Sequence, residues 1–374
     1  MIKRFLQFGI FFSIAAFVFC SLATSCKPIA NQYKPDEDID AEYYTAASLT
    51  PAPQPDSAIT AMTWNIRFGI GRMPWFGDAC SDITVYSQKD VLSHLDAVVA
   101  KINAIRPDIL LLQEVDINSK RTSYLNELQY ILDHTYFNYA AYVPEWRAQY
   151  IPSDGLGRMD MGLAILSPWP VNNAKRIQLA LRGDQSSLEV YFYLRSCMLT
   201  ASIQVPGFKE LSVVNIHASA FATDDTKQKH YQEFKEKLDE INNAGGYFLA
   251  GGDLNTLPPG STKTDYCFED MCPDESYHQP GDDPMHKPGS DYTPEQEWLL
   301  PIYHVYSCAL PLVQYQANQS AYFTHTTRPT ENFDRTLDYL FTNLHWVANS
   351  TVTHQDAFYE SDHTPVSSML VLPK

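Results

Sequence analysis

The sequence predicts an α/β fold: a four-layered sandwich in which two packed β-sheets are flanked by helices. From Ile59 onward, short runs rich in β-branched and aromatic residues alternate with amphipathic helical stretches. Several runs are apolar almost throughout, as strands covered on both faces are. The pattern divides into two strand-and-helix halves whose apolar faces must be buried against one another. The chain has 374 residues, 45% of them hydrophobic and 13% aromatic, enough for real cores.

The first residues stand apart from this pattern. Lys3 and Arg4 precede a mostly apolar run from Phe5 to Phe19, then small residues up to Cys26, the form of a secretory signal. The run is shorter than the roughly 20 residues that span a bilayer. Leu22-Ala23-Thr24-Ser25-Cys26 looks like a lipoprotein signal, cut before Cys26 so that its sulfur carries the lipid. An ordinary cleaved signal or a short uncleaved anchor would export the chain as well. The expected organisation is a signal peptide over 1–25, a flexible tether over 26–57 that is rich in proline and carries Asp36-Glu37-Asp38, and one folded domain over 58–374. The mature protein is expected to be a monomer, exported and anchored by lipid to a bacterial cell-envelope membrane.

Within the domain, Ile59 to Ile66 suits a strand. Val91, Leu92, Leu95, Val98, Val99, Ile102 and Ile105 share one helix face, and Pro107 ends that helix. Asp108 to Gln113 reads as a buried central strand that delivers Glu114 at its end. A helix is expected near Thr122 to His134. Strands follow at 137–143, 162–166, 189–194, 198–204 and 211–216. A second helix runs from about Asp224 to Asn243, with Tyr231, Phe234, Leu238 and Ile241 on one face, Lys227, Lys229 and Lys235 on the exposed side, and Gly245-Gly246 as its stop. Tyr247 to Ala250 is the next buried strand. Residues 257–300 read as a long irregular loop, and strands near 321–324, 337–341 and 367–372 close the chain.

The formal charge is -17, and removal of residues 1–25 makes it -19, because Lys3 and Arg4 are lost and no acid is. So negative a body opposes non-specific nucleic-acid binding, which rests on Lys and Arg. Of seven cysteines, Cys20 and Cys26 belong to the signal. Cys267 and Cys272 are close enough for a local disulfide, with Cys80 or Cys308 as other partners. A zinc site from Cys267, Cys272, His278 and His286 has no familiar spacing. Tyr142, Trp146 and Tyr150 either line a groove or pack a loop, and His304, His325 and His354 read as surface or core histidines.

Six segments place polar residues at strand ends: Trp64-Asn65-Ile66-Arg67, Gln113-Glu114, Asn215-Ile216-His217, Gly252-Asp253-Leu254-Asn255, Leu337-Asp338-Tyr339 and Ser361-Asp362-His363. Each alone is an ordinary strand end or turn. In this order they resemble the endonuclease/exonuclease/phosphatase family, which includes deoxyribonuclease I, abasic-site endonucleases, bacterial sphingomyelinases and inositol-polyphosphate phosphatases. The resemblance covers 59–372 and is most specific at Gly252-Asp253-Leu254-Asn255 and Ser361-Asp362-His363. It implies a deoxyribonuclease I-like sandwich with the site at the junction of the sheets and a divalent cation, usually magnesium, with manganese as the other candidate.

The residue types suit hydrolysis of a phosphoester. Glu114, helped by Asn65, offers oxygen ligands to a hard cation. Asp253 can take a proton from water, and Asn255 can hold phosphate or metal. His217 and His363 can donate to the transition state. By resemblance, Asp338 and Asp362 look like carboxylates that orient imidazoles, Asp362 also reaching metal. Asn65 and Arg67 would contact substrate, though Arg67 could equally be a surface arginine. Leu163 stands where the family often has Asn, so a substrate hydrogen bond from that position is lost. Asp253 and His363 are expected at exposed strand ends. The expected function is hydrolysis of phosphoester bonds outside the cytoplasm, in nucleic acid, a phospholipid head group or a sugar phosphate. The contrasting expectation is a catalytically silent surface-binding protein on the same fold, which loss of Glu114, Asp253 or His363 would favour; all three are present.

Overall fold

The structure is a computed structural model and describes residues 28–34, 39–77, 80–272, 287 and 289–374. Cys26, His278 and His286 lie outside the described residues. In chain order the main elements are β1 (Ile39–Asp40), β2 (Glu42–Thr45), β3 (Ala58–Asn65), α1 (Gln88–Ile105), β4 (Ile109–Asp116), α2 (Glu127–His134), β5 (Tyr139–Ile151) and β6 (Gly157–Ser167). The chain continues through β7 (Val171–Gln178), α3 (Ser187–Phe192), β8 (Cys197–Ile203), β9 (Leu211–His217), α4 (Thr226–Asn243) and β10 (Tyr247–Asp253). It ends with α5 (Cys267–Asp270), α6 (Leu300–Tyr303), β11 (Ser307–Cys308), α7 (Leu312–Ala317), β12 (Asp338–Thr342), β13 (His345–Trp346), β14 (Val352–Thr353) and β15 (Val366–Val371).

One sheet has the order β13-β15-β3-β4-β6-β5-β2, and the other β1-β7-β8-β9-β10-β12-β11. Their inner faces meet in a core that includes Ile59, Ala61, Leu111, Val143 and Ile165 from the first and Leu199, Val213, Leu249 and Leu340 from the second. The outer face of the first sheet packs Trp64, Leu110 and Leu112 against Val98 and Ile102 of α1 and Leu128 and Ile131 of α2. The outer face of the second packs Val214, Ile216 and Phe248 against Tyr231, Phe234 and Leu238 of α4. The four expected layers are therefore present. The helices form for local reasons as well: Ser87 Oγ accepts the Asp90 N–H at the start of α1, and Arg106 turns left-handed at its end, ahead of Pro107.

Several expectations are corrected. Part of the stretch read as a tether is built into the sandwich. β1 pairs with β7 and β2 with β5, so consecutive strands finish the edges of opposite sheets. The N-terminal Ala30 also bridges to Ala148. Open sheet edges carry unpaired N–H and C=O groups that any extended segment can satisfy, and no hydrophobic periodicity is needed for it. Residues 187–192 form a helix rather than a strand, because Ser186 and Glu189 make a reciprocal capping box. Residues 319–322 form a 3-10 turn where a strand was expected. β7, exposed at Asn172 and Asn173 and otherwise buried or half-buried, was not anticipated. Short helical turns, α5 and the start of α6, interrupt the expected loop 257–300.

Lys227 is fully buried rather than on an exposed face, and its Nζ donates to Glu295 at 2.6 Å. It stands four residues before Tyr231 and so shares the buried side of α4. Cys80 pairs with Cys272, 192 residues away, while Cys267 and Cys308 are buried free thiols. The disulfide leaves Cys272 no thiolate for the zinc arrangement. Tyr142 is buried and donates to Asp160, Trp146 donates to the Phe192 carbonyl, and only Tyr150 is exposed, so the three form no groove. Leu163 is in the core between the sheets.

His230 of α4 is fixed in its neutral form. Its Nδ1 accepts the Ser219 N–H at 3.2 Å, and its Nε2 donates to the Ala180 carbonyl at 2.8 Å. Burial lowers its pKa to about 4, against the pull of the Ala180 hydrogen bond. Between about pH 4 and the unfolded value of 6.5 the unfolded chain binds the extra proton, so this contribution to stability is lost as pH falls through that window. The loss expected at pH 5 is on the order of 2 kcal/mol. Urea titrations at pH 7 and pH 5 should show a smaller drop in stability for His230→Gln than for the wild type; equal drops would disprove the assignment.

Candidate active site at the strand ends

The carboxyl ends of β3, β4, β9 and β10 and the chain leading into β12 and β15 bring the polar segments together. β3 and β4 are parallel, with Asn65 opposite Gln113. β9 and β10 are parallel too, with His217 opposite Asp253, and β12 lays Asp338 against the other side of Asp253. Asp253 is thus flanked in register by one residue of each neighbouring strand. Gly252 makes this close approach feasible: its φ is +141°, and a Cβ there would stand 1.9 Å from the Ile216 carbonyl oxygen. At the end of β4 the pairing with β6 slips between Leu112 and Val115, and Glu114 takes a φ of +56°. This irregularity turns Glu114 away from the ladder and into the junction.

Asn65 Nδ2 donates to Glu114 Oε1 at 2.9 Å and to Asp253 Oδ2 at 3.1 Å, linking the two sheets. Asp253 Oδ1 accepts the Asn255 N–H at 2.9 Å, and Asn255 Nδ2 donates to the Ala218 carbonyl at 3.0 Å. Two imidazoles converge on Asp253. His217 Nε2 is 3.6 Å from Asp253 Oδ2, and His363 Nε2 is 3.5 Å from the same oxygen. Each ring is held from behind by a carboxylate, His363 Nδ1 by Asp338 Oδ2 at 2.8 Å and His217 Nδ1 by Glu145 Oε2 at 3.0 Å.

Charge follows from this geometry. Burial works against protonating either ring, but Glu145, Asp253 and Glu114 outweigh it at His217, and Asp338 and Asp253 do so at His363. Both rings are raised to about 10 and are cationic donors at neutral pH. Burial raises the Glu114 pKa, with nearby Asp362 adding to the shift and His217 and Asn65 opposing it. A divalent cation would favour the ionised form of such a carboxylate, so the donor set fits a hard metal ion.

The structure brings Asn65, Glu114, His217, Asp253, Asn255, Asp338, Asp362 and His363 to one junction. Some expected roles change. Asp338 orients His363 as expected, whereas Asp362 orients no imidazole: its Oδ2 faces Arg67 Nε at 3.3 Å, and its Oδ1 accepts from Ser361 Oγ at 3.2 Å. Arg67 is only 2% exposed, and its Nη1 donates to the Gly71 and Met73 carbonyls, so it is not a surface arginine and not set to meet substrate. Asn65 is also buried, its Oδ1 accepting the Arg67 N–H, and in this arrangement it positions Glu114 and Asp253 rather than presenting a free group to substrate or metal. Asp253 and His363 are 1% and 4% exposed, not at open strand ends: Asp253 lies between β9 and β12, and His363 is bridged by His325. His325, which precedes β12, places its ring 4.3 Å from that of His363.

Glu145 was missed. It is a lone carboxylate inside the apolar and aromatic run of β5, almost fully buried, and a charge at such a place needs a partner. That isolation was the available signal.

A profile of the Endonuclease/Exonuclease/phosphatase family matches residues 62–363. No curated protein matches the sequence. Among solved structures, an endonuclease/exonuclease/phosphatase from Beutenbergia cavernae DSM 12333 is 20% identical with a TM-score of 0.52, over 85% of this chain and 72% of that one. An endonuclease/exonuclease/phosphatase family protein from Leptotrichia buccalis C-1013-b is 13% identical with a TM-score of 0.51, over 84% of this chain and 99% of that one. These likenesses agree with the fold, and the profile spans every strand end that contributes to the junction from Asn65 to His363: the chain belongs to the endonuclease/exonuclease/phosphatase family.

Proposed function

We propose that this protein is a divalent-metal-dependent hydrolase of phosphoester bonds that acts outside the cytoplasm, held to a membrane through a lipid on Cys26. One observation carries the enzymatic reading: two imidazoles, each backed by a buried carboxylate, point at the same Asp253 oxygen beside Glu114. A surface-binding role gives no reason to bury so many charges at such spacing.

A magnesium or manganese ion at Glu114 would neutralise charge on the phosphoryl oxygens. Asp253, fixed by the Asn255 N–H and the Asn65 amide, accepts the proton of the attacking water. His217 and His363, kept cationic by Glu145 and Asp338, donate to the phosphoryl oxygens as their charge grows in the transition state. The phosphoester could come from nucleic acid, a phospholipid head group or a sugar phosphate. Among the described residues no helix is long and apolar enough to cross a membrane. Anchoring is assigned to Cys26 because it follows Leu22-Ala23-Thr24-Ser25.

Turnover of a phosphoester panel should vanish after dialysis against EDTA and return with magnesium or manganese; hydrolysis that persists in chelator refutes the metal requirement. Asp253→Ala and His363→Ala should each lower kcat by about 10²-fold or more. Glu145→Gln should lower kcat at least about tenfold with KM nearly unchanged, because it loosens His217 rather than a substrate contact. Circular dichroism must show these variants folded, and a folded variant with wild-type kcat removes that residue from the mechanism. Cys26→Ser should move the protein from the membrane fraction to the soluble one; a variant that stays membrane-bound with the same mass places the anchor elsewhere.

A further inference from the structure

The trio His325, Asp362 and His363 brings one ligand atom from each to within 4.8 Å of the others, next to the junction at Glu114. Two imidazoles and a carboxylate at that spacing are a serviceable set for a divalent ion. Yet the charge of Asp362 is already answered. Arg67 Nε stands 3.3 Å from its Oδ2, with both side chains largely buried. The guanidinium is not a mobile visitor. Its Nη1 is tied to the Gly71 and Met73 carbonyls at 2.8 and 2.9 Å, its own N–H is bonded to Asn65 Oδ1, and the backbone from Arg67 to Gly69 runs through positive φ. Arg72 adds a second fixed cation. It interacts electrostatically with Asp362 and Arg67, packs over the rings of Phe333 and Phe358, and donates Nε to the Phe358 carbonyl. A guanidinium keeps its proton at any working pH, so neither charge can be switched off.

We propose that Arg67 takes the place of a second cation at Asp362, so that the site loads one divalent ion, at Glu114, and keeps the His325, Asp362 and His363 trio free of metal. The inference rests on the metal-dependent reading and specifies its stoichiometry. An ion on Asp362 would sit beside a guanidinium that has no route out of the way, and it would compete for a carboxylate already ion-paired with Arg67 and accepting from Ser361. Asp362 is thereby a positioning residue: it fixes Arg67, whose backbone N–H in turn fixes the Asn65 amide.

The test is the number of Mn²⁺ ions bound per chain, followed by electron paramagnetic resonance on the purified mature protein. The wild type should bind one ion and Glu114→Gln none. Arg67→Met, which removes the charge at similar length, should bind two, and Arg67→Met combined with Asp362→Asn should return to one. Two ions of comparable affinity in the wild type, or one ion in a folded Arg67→Met variant, would overturn the proposal. If Arg67→Met does not fold, anomalous scattering from wild-type crystals soaked in Mn²⁺ decides the matter: a single peak at Glu114 supports the proposal, and a peak on Asp362 defeats it. A wild type that binds no Mn²⁺ would bring down the metal-dependent reading itself, an outcome distinct from binding two.

Discussion

The burial of several carboxylates in one cleft is the constraint on which this structure turns. Glu145, Asp253 and Asp338 are nearly inaccessible, and Glu114 and Asp362 stand beside them. Uncompensated, such charges would either take up protons or unfold the junction. The compensation is specific to each. Glu145 and Asp338 each hold an imidazole, Asp362 holds Arg67, and the Asn65 amide bridges Glu114 to Asp253. The same contacts that make these charges tolerable also aim the groups at one another, so electrostatic stability and active-site geometry have a single origin.

Bridging needs the two sheets to keep a fixed offset, and polar residues inside the sandwich provide it. Asn215 of β9 donates Nδ2 to the Leu112 and Ala164 carbonyls of the facing sheet at 2.8 and 3.0 Å, and its Oδ1 accepts from Gln113 Nε2 at 2.7 Å. Any slide of one sheet against the other leaves these buried groups unpaired, at about 1–3 kcal/mol each. Apolar packing alone would tolerate more shift, since side chains of similar volume can repack. The amides set the offset, and the offset sets the distance from Asn65 on one sheet to Asp253 on the other.

Around this centre, the chain ties its connections down. β1 and β2 close an edge of each sheet with consecutive residues, and the Cys80–Cys272 disulfide joins the turn region after β3 to the excursion after β10. The buried pairs Lys227–Glu295 and Arg335–Asp270 anchor the same excursion to α4 and to the turn before β12. Removing one partner from such a pair strands a buried charge, which costs more than the pair contributes when intact.

By itself the sequence determined the layered α/β class, the long strands and helices and most of the cluster at the strand ends. These rest on patterns of period 2 and 3.6 and on polar residues that interrupt apolar runs, all of them local. Periodicity placed α1, β4, α4 and β10 to within a few residues. It failed at β1, β2 and residues 187–192, where edge pairing or a capping box overrides hydrophobic pattern. Only the tertiary structure decided which charges meet. Glu145 lies 72 residues from His217, and Arg67 lies 295 positions from Asp362. No spacing along the chain encodes those pairings, because they depend on two sheets folding face to face and on buried charges selecting partners within reach. For the same reason Lys227 reads as a solvated lysine in one dimension and is a buried ion-pair partner in three.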